Sequence, residues 1–311
     1  MDSRSVIYGA EDIYLAIINP AAGGGRCGRR APAAVARLRE AGLHVEIRET
    51  TANGDATRLA REAYREGYRS FIAAGGDGTC FEVLNGLAPH GLEDGTRRAR
   101  LAVLPLGTGN SFLREFTTDG SQATIQALIE GRQRRCDVLR LNHRDGCAFY
   151  VNLFGFGFAA DVTINTLRGR YKRYGALGYV LGVLHTVVKL RHPVLPARVA
   201  GGELDARPMT FLCVCNSRYT AGAMMMAPEA SVHDGLADLV RVETLGRFDI
   251  IRTFPKIYRG THLEHPAVSA RSTPRIEFET DQEVEVMVDG EILKLVPQSI
   301  EVLPDALTVC I

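Results

Sequence analysis

The sequence predicts two domains in one chain: an α/β, doubly wound N-terminal domain and a mainly antiparallel β C-terminal domain. Three observations predict it. Short apolar runs alternate with helical patterns through the first 135 residues, and three of those runs end in glycine-rich loops. After residue 136 the helical patterns thin out and long alternating runs take over. Strands separated by helices form parallel βαβ units, whereas runs of alternating polarity form half-buried antiparallel strands.

Taken in order, 13–19 (IYLAIIN) is a short β-branched run that stops at Asn-Pro and a glycine cluster. Residues 31–41 have a helical pattern, with Val35 and Leu38 apolar among arginines, and 44–49 alternate as a strand. A helix over 55–66, a buried strand over 70–74 and a helix over 79–87 follow. A further buried strand is expected at 101–104 and a helix at 122–130. This first domain is placed at 1–135, with the extreme C-terminus, about 305–311, a candidate to complete it. The β-rich domain occupies 136–304. Its strands are expected in DVLRLN, FYVNLFGFGF, TFLCVCN, LADLVRVE, RIEFET, VEVMVDG and SIEVLP, and its only helices at 174–190 and 248–258.

Composition narrows the function. A chain of 311 residues with net charge +1 has no basic excess with which to neutralise phosphates, which argues against nucleic acid as the partner. The seven cysteines form no pair of CxxC motifs, and Cys213 and Cys215 alternate in FLCVC as buried thiols. A reducing compartment, the cytoplasm, is therefore expected. The first residues lack the pattern of a signal peptide, and the apolar stretch 176–190 is too short to span a bilayer, so membrane contact is expected to be peripheral.

The chemistry lies in the three glycine loops. NPAAGGGRCG (19–28) has glycines 23, 25 and 28 at dinucleotide-binding spacing, with Glu46 or Glu49 near the place of a ribose-binding acid. A ligand-free turn explains that loop equally well. GGDGT (75–79) sets three glycines around one acid, leaving backbone amides open to phosphate oxygens. Asp77 can hold Mg²⁺ or a water on it, and Thr79 can cap the next helix and touch phosphate. LPLGTGNSF (104–112) brackets Thr108 with Gly107 and Gly109, and offers Asn110 as a helix N-cap. Loops at the carboxyl ends of neighbouring parallel strands converge on one crevice, which three turns alone do not explain. GxxxxGK[ST] and the protein-kinase HRD and DFG signatures are absent from the sequence.

In order along the chain stand NPAAGGGR, ETTANGDA, GGDGT with Glu82 and Asn85 behind it, LPLGTGNSFLR, GFGFAADV, AGAMMMAPEASVHDGLADLV and VMVDGEI. This series resembles the diacylglycerol kinase catalytic-domain family, which includes bacterial lipid kinases and is related to sphingosine and ceramide kinases. The resemblance implies the two-domain architecture of NAD kinases and diacylglycerol kinases. It also implies transfer of the γ-phosphoryl group of ATP to a lipid hydroxyl. It places ATP on Thr50, on the run from Gly76 through Asp77, Gly78 and Thr79 to Glu82, and on Thr108; the loops add Asn19, Gly75, Gly107 and Asn110. By the same resemblance Glu291 is the proton acceptor, with Asp77 its rival. A structural Mg²⁺ falls on Asp234, with carbonyls from Ser231 and Leu236. His233 departs from relatives that carry Asp or Asn there.

The chemistry asks for such groups independently. A lipid hydroxyl is a poor nucleophile at neutral pH and needs a carboxylate to accept its proton; phosphoryl transfer otherwise needs positioning and charge neutralisation. Read without the resemblance, Glu291 after Asp289-Gly290 is an exposed hairpin acid. The implied partner is a lipid alcohol at a membrane surface, with Arg168, Arg170, Lys172 and Arg173 ahead of an apolar helix as docking cations. Three alternatives stay open: an NAD kinase-like enzyme, a nicotinamide dehydrogenase, and a catalytically silent lipid-binding regulatory protein. The sequence names neither the lipid nor the oligomeric state, and a homodimer is one option.

Overall fold

The computed structural model describes residues 13–93, 98–107, 110–167 and 175–311. By internal contacts the chain divides into two units, Met1–Cys136 with Asp305–Ile311, and Asp137–Pro304.

In the first unit β1 (Tyr14–Ile18), α1 (Arg26–Glu40), β2 (Val45–Glu49), α2 (Asp55–Arg65), β3 (Ser70–Gly75) and α3 (Asp77–Leu87) follow in order. The one-turn α4 (His90–Glu93), β4 (Arg100–Pro105) and α5 (Ser121–Glu130) complete it. The strands pair in the order β2-β1-β3-β4, all parallel, and residues 308–310 of the last strand add beside β4, again parallel. Alternation decides which helix covers which face. Ala16, Ile18, Ile72, Ala74, Ala102 and Leu104 form one core with Val35 and Leu38 of α1 and with Ile125 and Leu128 of α5. Leu15, Ile17, Phe71 and Ala73, equally buried, point the other way, on the side of α2 and α3. Gly86 lets those two helices meet, since a Cβ there would lie 2.4 Å from the Thr57 carbonyl oxygen. Helices on both faces of a parallel sheet make the doubly wound fold.

Element starts differ from expectation in one systematic way. Helix α1 begins at Arg26, not Ala31, and α3 at Asp77, not Thr79. Both begin inside the glycine loops, where no apolar period marks them. Cys27 is the side chain that seats the early turn of α1, fully buried and donating from Sγ to the Ala74 carbonyl at 3.3 Å.

The second unit contains β5 (Gln133–His143), β6 (Gly146–Tyr150), β7 (Leu153–Gly157), α6 (Phe158–Leu167), α7 (Gly175–Val188), β8 (Ala197–Val199) and β9 (Phe211–Cys215). The short β10 (Tyr219–Thr220) and β11 (Met224–Met225) follow, then β12 (Ala237–Val242), α8 (Arg247–Thr253), β13 (Val268–Thr273) and β14 (Arg275–Phe278). Last come β15 (Val284–Val288), β16 (Glu291–Leu295) and β17 (Pro297–Cys310). Six strands form an antiparallel sheet in the order β13-β12-β9-β7-β15-β16. A second layer holds β5, β6, β8, β14 and the first part of β17. Phe154 of β7 meets Phe278 of β14 across the layers, ring centroids 5.7 Å apart. Cys213 and Cys215 are buried in β9, and burial pushes both thiols up, so they stay protonated.

Three expectations fail here. The run FYVNLFGFGF is not one strand; it breaks at Val151-Asn152 into β6 and β7. Helix α6 was not expected. Gly157, in the left-handed region at φ 74°, turns the chain directly from strand to helix, and a Cβ there would stand 2.7 Å from the Thr210 carbonyl oxygen. The helix it starts, FAADVTINTL, is rich in β-branched residues and is held by packing rather than propensity. The helix expected at 248–258 ends at Thr253 and continues as 3₁₀ turns to Arg259.

Candidate functional site

At the carboxyl edge of the first unit's sheet the expected residues come together. The Thr50 amide donates to the Ile18 carbonyl (2.9 Å) and the Asn19 amide to the Ala74 carbonyl (3.0 Å), so the ends of β2, β1 and β3 are tied side by side. The third loop folds onto the second: the Leu106 and Gly107 amides both donate to the Gly75 carbonyl, at 2.9 and 2.7 Å. Glycine is required at both contacts. A Cβ on Gly107 would lie 2.5 Å from Gly76 Cα, and one on Gly75 would lie 2.2 Å from Thr79 Oγ1. Arg26 closes the first loop over the third, donating from Nε to the Gly23 carbonyl (3.0 Å) and from Nη2 to the Gly107 carbonyl (3.2 Å). Thr108 and Gly109 lie outside the described residues.

Helix α3 starts at this edge, with extended Gly76 as its N-cap residue and no side chain capping its first amides. An uncapped helix start flanked by residues without Cβ atoms is an anion site in form. Thr79 is therefore not the cap; it lies buried inside the first turn, where its hydroxyl receives a long hydrogen bond from Asn19 Nδ2 (3.4 Å). Asn110 is not a cap either. It sits at φ 53°, and the short 3₁₀ helix at Phe112–Glu115 begins from Ser111.

Asp77 accepts from the Ser111 amide at 2.8 Å and from the Ser111 hydroxyl at 3.1 Å, one bond to each carboxylate oxygen. Burial pushes its carboxyl above the ordinary range, while the bonds from Ser111 and Phe112 pull it back. Asp77 thus holds the third loop in place. Glu82 is likewise engaged inside the unit, its Oε2 accepting from the Ala56 amide (3.0 Å) at the start of α2.

In the second unit the residues group around a buried polar knot. Asp289 and Gly290 take positive φ (48° and 90°), a two-residue turn that joins β15 to β16 and leaves Glu291 exposed at the start of β16, opposite Val288. The Asp289 carboxylate is buried and accepts from the amides of Val151, Asn152 and Leu153, each at 2.9 Å. Asn216 Nδ2 donates to the Val151 and Asp137 carbonyls (3.0 Å each), and Asp137 Oδ2 accepts from the Gly235 amide (2.7 Å). The turn holding Ser231, Asp234 and Leu236 is thereby linked to the hairpin of Glu291. Asp234 is exposed and accepts from the Leu236 amide at 3.0 Å; Ser231 Oγ accepts from the His233 amide at 3.3 Å. Among the described residues no group of three or more His, Cys, Asp and Glu side chains could hold a metal ion.

Sequence reading missed Asp137, Asn152, Asn216 and Ser111. A signal existed for the two asparagines, since Asn152 is a lone polar residue in the apolar run FYVNLFG and Asn216 directly follows the apolar run FLCVC.

Two family models match the chain in sequence order. Residues 14–141 match the diacylglycerol kinase catalytic domain, and 153–311 match the YegS C-terminal NAD kinase beta sandwich-like domain. A Pseudomonas aeruginosa protein named probable lipid kinase YegS-like is 33% identical over 284 residues, 89% of this chain and 88% of that one. The chain belongs to the diacylglycerol kinase catalytic-domain family. Further members of similar length are the diacylglycerol kinases of Staphylococcus aureus (29% identical, covering 88% of this chain and 84% of that one) and Bacillus subtilis (28%, 90% and 90%). Among solved structures, a Bacillus anthracis protein crystallised as a candidate diacylglycerol kinase superposes with TM-score 0.77 at 25% identity. It covers 99% of this chain and 97% of its own. Membership makes the chain a kinase by family. Among the described residues no helix is long and apolar enough to cross a membrane.

Proposed function

We propose that the protein is an ATP-dependent lipid kinase, transferring the γ-phosphoryl group of ATP to the hydroxyl of a diacylglycerol-like lipid. The observation that carries the proposal is the uncapped start of α3 inside three interlocked glycine loops, on a chain that matches lipid-kinase relatives over nearly its whole length.

The fit to ATP rests on the chemistry of that edge. The first amides of α3 point out of the helix, and Gly76 and Gly78 put no side chain before them, so phosphate oxygens can reach the amides and the positive end of the helix. Thr50, Asn19 and Gly107 flank the same edge, and Asp77 keeps the third loop closed through Ser111. Mg²⁺ asks for hard oxygen donors, and the turn at 231–236 supplies the Asp234 carboxylate with the Ser231 and Leu236 carbonyls. Beside this turn, burial pushes the Asp238 carboxyl up, the bond from the Ser272 hydroxyl pulls it back, and the negative charges of Asp234 and Glu229 add to the rise. A Mg²⁺ held there would be a structural ion, fixing the turn at 231–236 through hard oxygen donors. Glu291 accepts the proton of the lipid hydroxyl as the new phosphate ester forms.

The test is γ-labelled ATP with purified protein, Mg²⁺, diacylglycerol, ceramide, sphingoid base and prenol in mixed micelles, beside NAD as a soluble acceptor. Label in a lipid product is expected. Label entering NAD would contradict the proposal in favour of an NAD kinase; no transfer to any acceptor would favour a silent scaffold.

A further inference from the structure

Helix α7 carries no acid, lysine or arginine between Gly175 and Val188, and Tyr179, His185 and Thr186 are its only polar residues. Such a helix is ordinarily enclosed. Among the described side chains of this one, from Val180 on, only one side is. Val183, Thr186 and Val187 are buried, and Gly182 lies so close to α6 that a Cβ there would stand 2.5 Å from Thr166 Cγ2. On the opposite side Val180 (52% exposed), Leu181, Leu184 and Val188 (69% exposed) recur at helical spacing as one stripe open to solvent.

Helix α8 extends the stripe. Arg247, its first residue, donates from Nε to the Val187 carbonyl and from Nη2 to the Val188 carbonyl, each at 3.2 Å, so α8 starts where α7 ends. Ile250 turns inward, but Phe248 is 84% exposed and Ile251 one turn on is exposed as well. No large apolar side chain among the described residues is more open than Phe248. Cations rim the stripe. Between residues 247 and 259 the exposed Arg247, Arg252, Lys256 and Arg259 stand against a single acid, Asp249, and Lys189 is exposed at the end of α7. The chain as a whole is near neutral, at net charge +1, so this segment is locally basic.

We propose that this face of α7 and α8 is a docking surface for an anionic phospholipid bilayer. The apolar side chains enter the boundary between headgroups and acyl chains, and the rimming cations meet the lipid phosphates. A second copy of the chain suits the face poorly, because a two-fold contact would set the same cations against each other. The proposal gives the lipid-kinase reading its route to substrate and rests on that reading for its purpose, though not for its geometry. The cations expected at Arg168, Arg170, Lys172 and Arg173 lie outside the described residues.

The chain contains no tryptophan, so Phe248→Trp places a single indole fluorophore at the most exposed point of the face. With phosphatidylglycerol vesicles, and no nucleotide present, its emission is expected to shift to shorter wavelength and to be quenched by brominated acyl chains. Phosphatidylcholine vesicles should give at most a small change. In co-sedimentation with the same anionic vesicles, Val188→Glu and Phe248→Glu are expected to lower partitioning at least tenfold and Arg252→Glu severalfold. All three side chains are exposed, so circular dichroism should stay at wild type. Emission unmoved by anionic vesicles, or glutamate variants that sediment within twofold of wild type, would overturn the proposal. A blue shift that grows with protein concentration alone would overturn it in favour of a second copy. Vesicle binding without any phosphoryl transfer would support the docking surface while sinking the kinase reading.

Discussion

Asp289 and Glu291 stand two residues apart, and the structure gives them opposite surroundings. Asp289 is buried with three amides on its carboxylate, whereas Glu291 lies exposed on the strand that those bonds fix. Asp289→Ala leaves three buried donors without their acceptor and is expected to destabilise the protein by roughly 3 kcal/mol or more, read by urea unfolding. Asp289→Asn, which keeps one acceptor oxygen, is expected to lose less. A second acid gives a pH signature. Hydrogen bonds from Arg207 lead in holding the Asp205 carboxyl down at about 2, and the charge of the buried Arg241 adds to them. A depressed carboxyl contributes stability above its unfolded pKa of about 3.9 and loses it as pH falls toward the folded value. Asp205→Asn is therefore expected to lower stability at pH 7 by about 1 kcal/mol, screening by solvent keeping it that small. The gap to wild type should close between about pH 4 and pH 2. At this scale the sequence was partly legible. The acid of GGDGT was visible, but its partner Ser111 lies 34 residues away, and no local pattern announces a bond of that range.

The elements of the first unit were legible because a parallel sheet buries both faces and its strands read as short apolar runs. The strand ends were legible too, through their glycines. What could not be read was the purpose of each glycine. Gly107 serves close approach to the second loop, not a turn with positive φ. Gly107→Ala would drive a Cβ into Gly76 and is expected to cost about 1–3 kcal/mol in stability. It should also weaken ATP binding at least tenfold by calorimetry, because the loops that flank α3 must part. An ATP affinity within twofold of wild type would show that the loops do not form the nucleotide cradle. Helix α6 escaped the reading for the opposite reason, since its β-branched residues disguise a helix that packing imposes.

For the whole molecule the informative element is β17, which serves both units in turn. Residues 299–301 pair antiparallel with β14, and 308–310 pair parallel with β4, on either side of Asp305 in the left-handed region. Leu307, fully buried, belongs to the returning segment. Leu307→Ala is expected to cost about 2–5 kcal/mol. The loss should appear as reduced hydrogen-exchange protection in β3 and β4, with β9 and β12 unchanged. Equal loss in both sets would contradict the division into two units. At this scale two domains were legible from the change of texture near residue 136, whereas pairings such as β17 with β4 were not, because strand order leaves no local trace.

In the proposed lipid-kinase reaction the first unit would bind the nucleotide and Glu291 of the second would take the proton from the acceptor. Its most direct test is Glu291→Gln, with ATP affinity by calorimetry and label transfer to lipid measured on the same preparation. The expected result is an ATP Kd within about twofold of wild type and transfer slowed by about 10²–10⁴-fold, the range of a lost general base. Transfer at the wild-type rate would contradict it.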